Sequence, residues 1–404
     1  MKKLFFAFLA MTLFACSSDD SAPVNPDNQN PENPIPTPCS KVYNGNVALS
    51  TQAEVDAFAA KGYCTIKGNI MIGPRVEAVG EGEDMEIIVI DSDITSIAGF
   101  SSFIKIEGSL TISENLLLTS INGLNNLESI SGSLSIQHNS ALAELTPLSS
   151  LKYVGINNSF GDLVIRNNDA LTSLQGLQSI EEVDDFFIEN NDHLQNLNGL
   201  NGLKNVNVMF GLANNPELSS FQGLDNLQYV KSFVISSCGF YNFDGMGNIE
   251  GISSLTLNYL PNLVSIEGLQ PITEMDSFKI TSCDALQSCN GVQNIKTLGN
   301  LIISGNDSLA TLSHFSGLTT LSTSPFYSEN KFEISSNDAL QSLEGFQNIT
   351  MFKAELSVFQ NDGLKDFCSL TSLLNEGIFI QPAYIADNLY NPTVAEIVAG
   401  NCSQ

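Results

Sequence analysis

From Ile97 onward the apolar positions recur in a fixed order. One coil reads Leu174, Leu177, Ile180, Val183, Phe186, Ile188, Asn191, Leu194 and then Leu197, with steps of three residues everywhere except a single step of two between Phe186 and Ile188. A step of two keeps both side chains on one side of an extended chain and turns Phe187 to the other, so each coil predicts one short strand with an inward face. One coil cannot bury its own apolar stripe, whereas a stack can. Positions equivalent to Leu174 fall at Ile97, Ile121, Leu145, Leu174, Leu197, Phe221, Phe243, Ile266, Cys289, Leu312, Leu343 and Phe367, mostly 22 to 24 residues apart. The pattern predicts a β-rich solenoid, a right-handed single-stranded β-helix of about 12 coils. With parallel strands about 4.8 Å apart, it would be a rod of roughly 55 to 60 Å.

Three residues after the strand's last apolar position stand Asn115, Asn139, Asn168, Asn191, Asn215, Asn306, Asn337 and Asn361. An inward Asn at that point satisfies backbone groups at a turn and stacks on its neighbour. Cys238, Leu260 and Cys283 take its place in adjoining coils. The Asp that often follows (Asp169, Asp192, Asp284, Asp307, Asp338, Asp362) reads as a solvated turn residue. Two coils are longer, 29 residues from Leu145 and 31 from Leu312, with insertions after Val154 and Leu321 at the same template position. Both loops should leave the same edge, and in solenoids such insertions commonly mark the binding side. They carry Phe160, and Phe326 with Tyr327; together with the outward Phe187 these are the candidate ligand-binding residues. The other outward strand residues (Thr111, Ser135, Val164, Lys279, Ile302, Glu333, Ser357) share no chemical theme.

The ends differ from the repeats. Lys2 and Lys3, an apolar run from Leu4 to Phe14 and then Leu13-Phe14-Ala15-Cys16 read as a signal peptide over residues 1–15. The last four residues resemble the lipobox of bacterial lipoproteins, which implies lipidation of Cys16 and a membrane anchor. Residues 16–38 hold six prolines and almost nothing apolar, which predicts an extended tether without a core. Its Ser17-Ser18-Asp19-Asp20 start resembles surface-export signals, so the expected location is the outer membrane, facing the cell exterior. Residues 39–82 are expected to form an N-terminal cap, with a capping box at Thr51 and Glu54 opening a short helix, and residues 83–375 the solenoid. Residues 376–404 are expected to close the stack with a helix started by Asn391 and Pro392.

The alternation Val183-x-x-Phe186-x-Ile188-x-x-Asn191 resembles leucine-rich repeats. The opening Asn44-Gly45-Asn46-Val47, the Ile66-Lys67-Gly68-Asn69-Ile70 turn and the repeated Leu-x-Gly-Leu coils resemble the receptor L-domain family more narrowly, over roughly residues 39 to 375. That resemblance implies an extracellular module that binds protein ligands through a solenoid face and is not itself catalytic. About 12 coils exceed a single receptor L domain and suggest fused units or an extended form.

Charge narrows the partners. With 44 acidic against 16 basic residues the net charge is −28, two units more negative once Lys2 and Lys3 are removed. Such a field repels nucleic acid phosphates, so no nucleic acid partner is expected. Seven cysteines remain after Cys16. Cys39 and Cys64 bracket the N-terminal cap and Cys368 and Cys402 the C-terminal tail, so two disulfides are expected there; Cys238, Cys283 and Cys289 fall at inward positions as small hydrophobes. His138, His193 and His314 occupy different coils and template positions, and Glu181, Glu182, Asp184 and Asp185 read as a solvated acidic face. Neither a triad nor a glycosidase pair is indicated. The expectation is a monomeric, non-enzymatic binding protein without metal or cofactor, taking a protein or cell-surface ligand; glycan capture for an uptake system or an envelope scaffold are the alternatives. The absence of Trp weighs against glycan capture.

Overall fold

The computed structural model describes residues 39–79, 86–155, 161–322, 330–375 and 383–404, which belong to one compact unit. The readings of leader, lipidated Cys16 and tether fall on residues 1–38 and lie outside the described residues, as do those of Phe160, Phe326 and Tyr327. In chain order the elements are β1 (Val42–Asn44), β2 (Val47–Leu49), α1 (Gln52–Ala59), β3 (Thr65–Lys67), β4 (Ile70–Ile72), β5 (Arg75–Val79), β6 (Glu86–Ile90), β7 (Lys105–Ile106), β8 (Leu110–Ser113), β9 (Ser129–Ile130), β10 (Leu134–Gln137), β11 (Tyr153–Val154) and β12 (Asp162–Arg166). They continue as β13 (Glu182–Glu189), β14 (Asn205–Asn215), β15 (Tyr229–Cys238), β16 (Gly251–Asn258), β17 (Glu274–Thr281), β18 (Thr297–Ser304), β19 (Thr320–Leu321), β20 (Lys331–Ser335), β21 (Met351–Phe352), β22 (Glu355–Phe359), α2 (Thr371–Asn375), β23 (Tyr384–Ala386) and α3 (Val394–Val398).

The main sheet runs β2-β4-β8-β10-β12-β13-β14-β15-β16-β17-β18-β20-β22-β23, every neighbour parallel, one strand per coil. That makes about 14 turns rather than 12. The difference lies at the N-terminus: β2 and β4 are in register with the stack (Ala48 beside Met71, Met71 beside Thr111), although their coils lack the Leu-x-Gly-Leu anchor by which the repeat is counted. Fourteen rungs span about 62 Å. A second, shorter column of strands, β1-β3-β7-β9-β11, runs alongside. From β13 to β18 the short and main strands fuse into continuous strands of 8 to 11 residues, and at β19/β20 and β21/β22 they separate again.

All the template positions of the coil written out above are buried, including Asn191. The Asn row forms a hydrogen-bonded ladder. The Asn191 Oδ1 accepts from the Asn168 backbone N–H at 3.1 Å, while Nδ2 donates to the Ile165 carbonyl of the preceding coil (3.0 Å) and to the Glu189 carbonyl two residues back (3.1 Å). One run extends from Asn115 to Asn215, and a second from Asn306 through Asn337, Asn361 and Asn388 to Asn391. The residue just before each position of this column from Asn115 to Asn388 is left-handed, from Glu114 to Asp387 at φ between 51° and 66°, which is how the chain turns sharply enough to point the amide back inward. The Leu-x-Gly-Leu glycine has an equally local cause: at Gly176 a Cβ would lie 1.9 Å from the Leu145 carbonyl oxygen of the coil beneath.

The helices are short, so the ends are not closed by extended helical caps. α1 carries the expected capping box, Thr51 accepting from the Glu54 N–H while Glu54 accepts from the Thr51 N–H. At the other end the cap of α3 is Thr393 with Glu396, not Asn391 with Pro392 at the first helical position. The Asn391 Oδ1 instead accepts from the Asn388 N–H at 2.9 Å and terminates the ladder, a tertiary role that takes it out of the helix. The final residues fold back antiparallel, Ser403 beside Asp366, with the Phe367 N–H bonded to the Cys402 carbonyl. Both expected disulfides are present, Cys39–Cys64 and Cys368–Cys402, with Cα atoms 6.0 and 4.9 Å apart. One element has no counterpart in the repeat: β5 and β6 form an antiparallel hairpin, with exposed Val76 opposite exposed Val89.

Candidate functional site

The two insertions are where the geometry converges. The first leaves at Gly155 and returns at Gly161, so close together that a Cβ on Gly161 would fall 2.0 Å from the Gly155 Cα; the ladder then resumes as though nothing had been inserted. The second leaves after Ser322 and returns at Asn330, whose Nδ2 donates to the Lys353 carbonyl while the next residue's N–H bonds to the Asn300 Oδ1. Both leave and return at the corner between short and main strand, on the fifth and twelfth rungs of the main sheet. Between them lie the six fused strands β13 to β18.

Two grooves follow this corner. The first, of about 480 Å³, is lined by Lys152, Tyr153, Glu181, Glu182, Asp184 and Asn207 among others. The second, of about 290 Å³, is lined by Tyr229, Glu250, Ser253, Thr273, Glu274 and Asp276 with their neighbours. Each therefore pairs one tyrosine with three carboxylates. Tyr153 precedes the inward Val154 as Tyr229 precedes Val230, so the two rings share a column and sit three rungs, about 14 Å, apart. Tyr153 is 57% exposed and Tyr229 37%, the latter reaching Ser253 Oγ with its hydroxyl at 2.9 Å and lying over the bare backbone of Gly251.

Polar contacts tie the first groove's carboxylates to their neighbours. Asn207 Nδ2 bridges Glu182 (2.6 Å) and Asp184 (3.3 Å), and Lys204 meets Glu181 at 2.7 Å. Asp185 faces Asp162 across the β12–β13 pair; partial burial, then Asp162 and Asp184, push its carboxyl above the ordinary range. Among the described residues no ion pair engages Glu182, Asp184, Glu250, Glu274 or Asp276, and no group of three His, Cys, Asp or Glu side chains could hold a metal ion.

Of the ligand-binding residues expected from sequence, Phe187 alone lies among those described. Its place is in the outward column Val164–Phe187–Gly211–Val234 of the main strand, half-buried, with its ring across Gly211, where a Cβ would meet its Cδ1 at 2.8 Å. That ring covers bare backbone, on a neighbouring face to the grooves. His138 lies against Asn167 and His193 against Glu217 (3.2 Å), in separate surroundings. Tyr153, Tyr229, Asn207, Glu250, Glu274 and Asp276 escaped the sequence reading. Their signal was only an outward template position, and their meeting depends on the stack.

Cys238 and Cys283 are more than small hydrophobes. Each stands in the Asn column and imitates the amide: the Cys238 thiol donates to the Ser236 carbonyl at 3.3 Å and receives the Asn215 N–H, and the Cys283 thiol donates to the Thr281 carbonyl at 3.5 Å. Burial pushes both thiols up to about 11, and Cys289, fully enclosed at an anchor position, up to about 12, so all three stay protonated at neutral pH.

A parallel stack of this kind, one main-sheet strand per coil with a buried amide ladder, defines a β-solenoid. Residues 64–199 match the family model of the Receptor L domain. The same coil template continues to β22, well past the matched region. No curated protein and no solved structure matches the chain.

Proposed function

We propose that this protein is a non-enzymatic binding lipoprotein, anchored through Cys16 to the outer membrane, that displays the solenoid to the cell exterior and holds a protein ligand on the corner between its two insertions. The observation that carries the binding reading is the coincidence on one corner of both insertion points and of the two tyrosine-bearing grooves. The Receptor L domain match over residues 64–199 supports a receptor-like role. Glycan capture keeps one specific support, since a sugar ring could stack on Tyr153 or Tyr229 and hydrogen-bond to the adjoining carboxylates.

Two experiments test it. Protease treatment of intact cells should shave the wild type and spare a variant with Asp19 and Asp20 changed to Ala; protection of both would place the protein inside the envelope and favour a scaffold. A photo-crosslinking residue at Ser253 should trap a ligand on cells, whereas one at Glu217, on the turn edge after the ladder, should not. Equal yields from both positions, or none from either, would remove the corner as the binding surface.

A further inference from the structure

The chemistry of the two grooves specifies an occupant. Each presents an exposed tyrosine ring beside three carboxylates, balanced by one lysine in the first groove lining and by none in the second. Five of those six carboxylates are in no ion pair among the described residues, on a chain of net charge −28. Unpaired carboxylates around an aromatic face fit a cation whose aliphatic stem packs on the ring and whose head reaches the acids. The grooves also repeat along the stack axis: tyrosines about 14 Å apart match four residues of extended chain at about 3.4 Å each. We propose, resting on the binding role given above, that the corner takes an extended segment of a partner protein with lysine or arginine side chains about four residues apart, one in each groove.

The probe is a labelled eight-residue peptide of alanine and serine with two lysines four apart, titrated against the full chain by fluorescence anisotropy at low and physiological salt. Binding is expected, weakening with salt as exposed charge contacts do. Asp184→Asn with Asp276→Asn, and separately Tyr153→Ala with Tyr229→Ala, should each weaken it at least tenfold. Asp169→Asn with Asp192→Asn makes the same charge change on the turn edge and should weaken it less than twofold. If the turn-edge pair weakens binding as much as the groove pair, the attraction is the overall charge and the proposal falls. If the peptide does not bind but a neutral glucose hexamer does, and loses affinity in the tyrosine variant, the occupant is wrong while the corner remains the binding surface. If neither binds, the cationic-segment proposal falls, and crosslinking from Ser253 decides separately whether the corner binds anything.

Discussion

The middle of the stack and its two flanks solve one problem differently. In the flanks, from Asn115 to Asn215 and from Asn306 to Asn388, a buried amide in each coil satisfies backbone groups of the coil before and, in most coils, of its own. In the middle the column reads Cys238, Leu260, Cys283: two thiols stand in weakly for amides and one leucine makes no hydrogen bond through its side chain. Phenylalanines gather around the start of that gap. Phe221 stacks on Phe240 and Phe243 with centroids 4.0 and 4.8 Å apart, and Phe186, Phe210 and Phe233 form a second pile at 5.2 and 5.1 Å. The comparison teaches that the repeat does not demand asparagine. It demands that the coil close, and polar satisfaction or dense aromatic packing can each do it.

Four substitutions would break or sharpen that contrast, each read by chemical denaturation. Phe221→Ala, which empties the meeting point of the middle stack, should cost most, about 4 kcal/mol; a loss below about 1 kcal/mol would mean the pile is ornamental. Asn191→Leu strands the Asn168 N–H and the Ile165 and Glu189 carbonyls, for an expected loss of about 3 kcal/mol in the flank.

The N-terminal end leans on a further device. The Arg75 guanidinium, 2.7 Å away, holds the Glu54 carboxyl at about 2. A depressed folded value stabilises above the unfolded one, near 4.5, and the gain is lost as pH falls through about 2. Since a third of the Glu54 side chain faces water, Glu54→Gln should cost only about 1 kcal/mol at neutral pH. The gap to wild type should close over that acid window; a gap independent of pH would refute the ion pair's part. The smallest change is expected for Leu260→Asn. It is a polar residue in a buried place, but the ladder geometry offers it the Cys238 N–H and the Asn258 and Ile235 carbonyls, so the loss should stay within about 1 kcal/mol. A loss above about 3 kcal/mol would show that the middle has given up the ladder's geometry as well as its side chains.

Much of the fold was legible because the coil is local. The step of two in each apolar series located the strands, the Asn column located the turns, and the outward column Thr111, Ser135, Val164, Phe187 pairs residue by residue as expected. What was missed lacked a period. The first two rungs carry no Leu-x-Gly-Leu, the hairpin β5–β6 interrupts one of them, and the left-handed residues from Glu114 to Asp387 are of nearly any type, because the ladder imposes their φ from outside.

The candidate site divides the same way. Sequence alone determined that the chain would stack in parallel, that two insertions would leave one edge, and that the four cysteines at the ends would pair, since each follows from spacing along the chain. Only the tertiary structure decided that Tyr153 and Tyr229 share a column, that Glu250, Glu274 and Asp276 come from adjacent coils to one groove, and that Phe187 covers Gly211. Those juxtapositions join residues as far apart in sequence as Phe187 and Gly211, one rung apart in space, or Tyr153 and Tyr229, three rungs apart, and the choice of neighbour is made by inter-strand register, which no single coil contains.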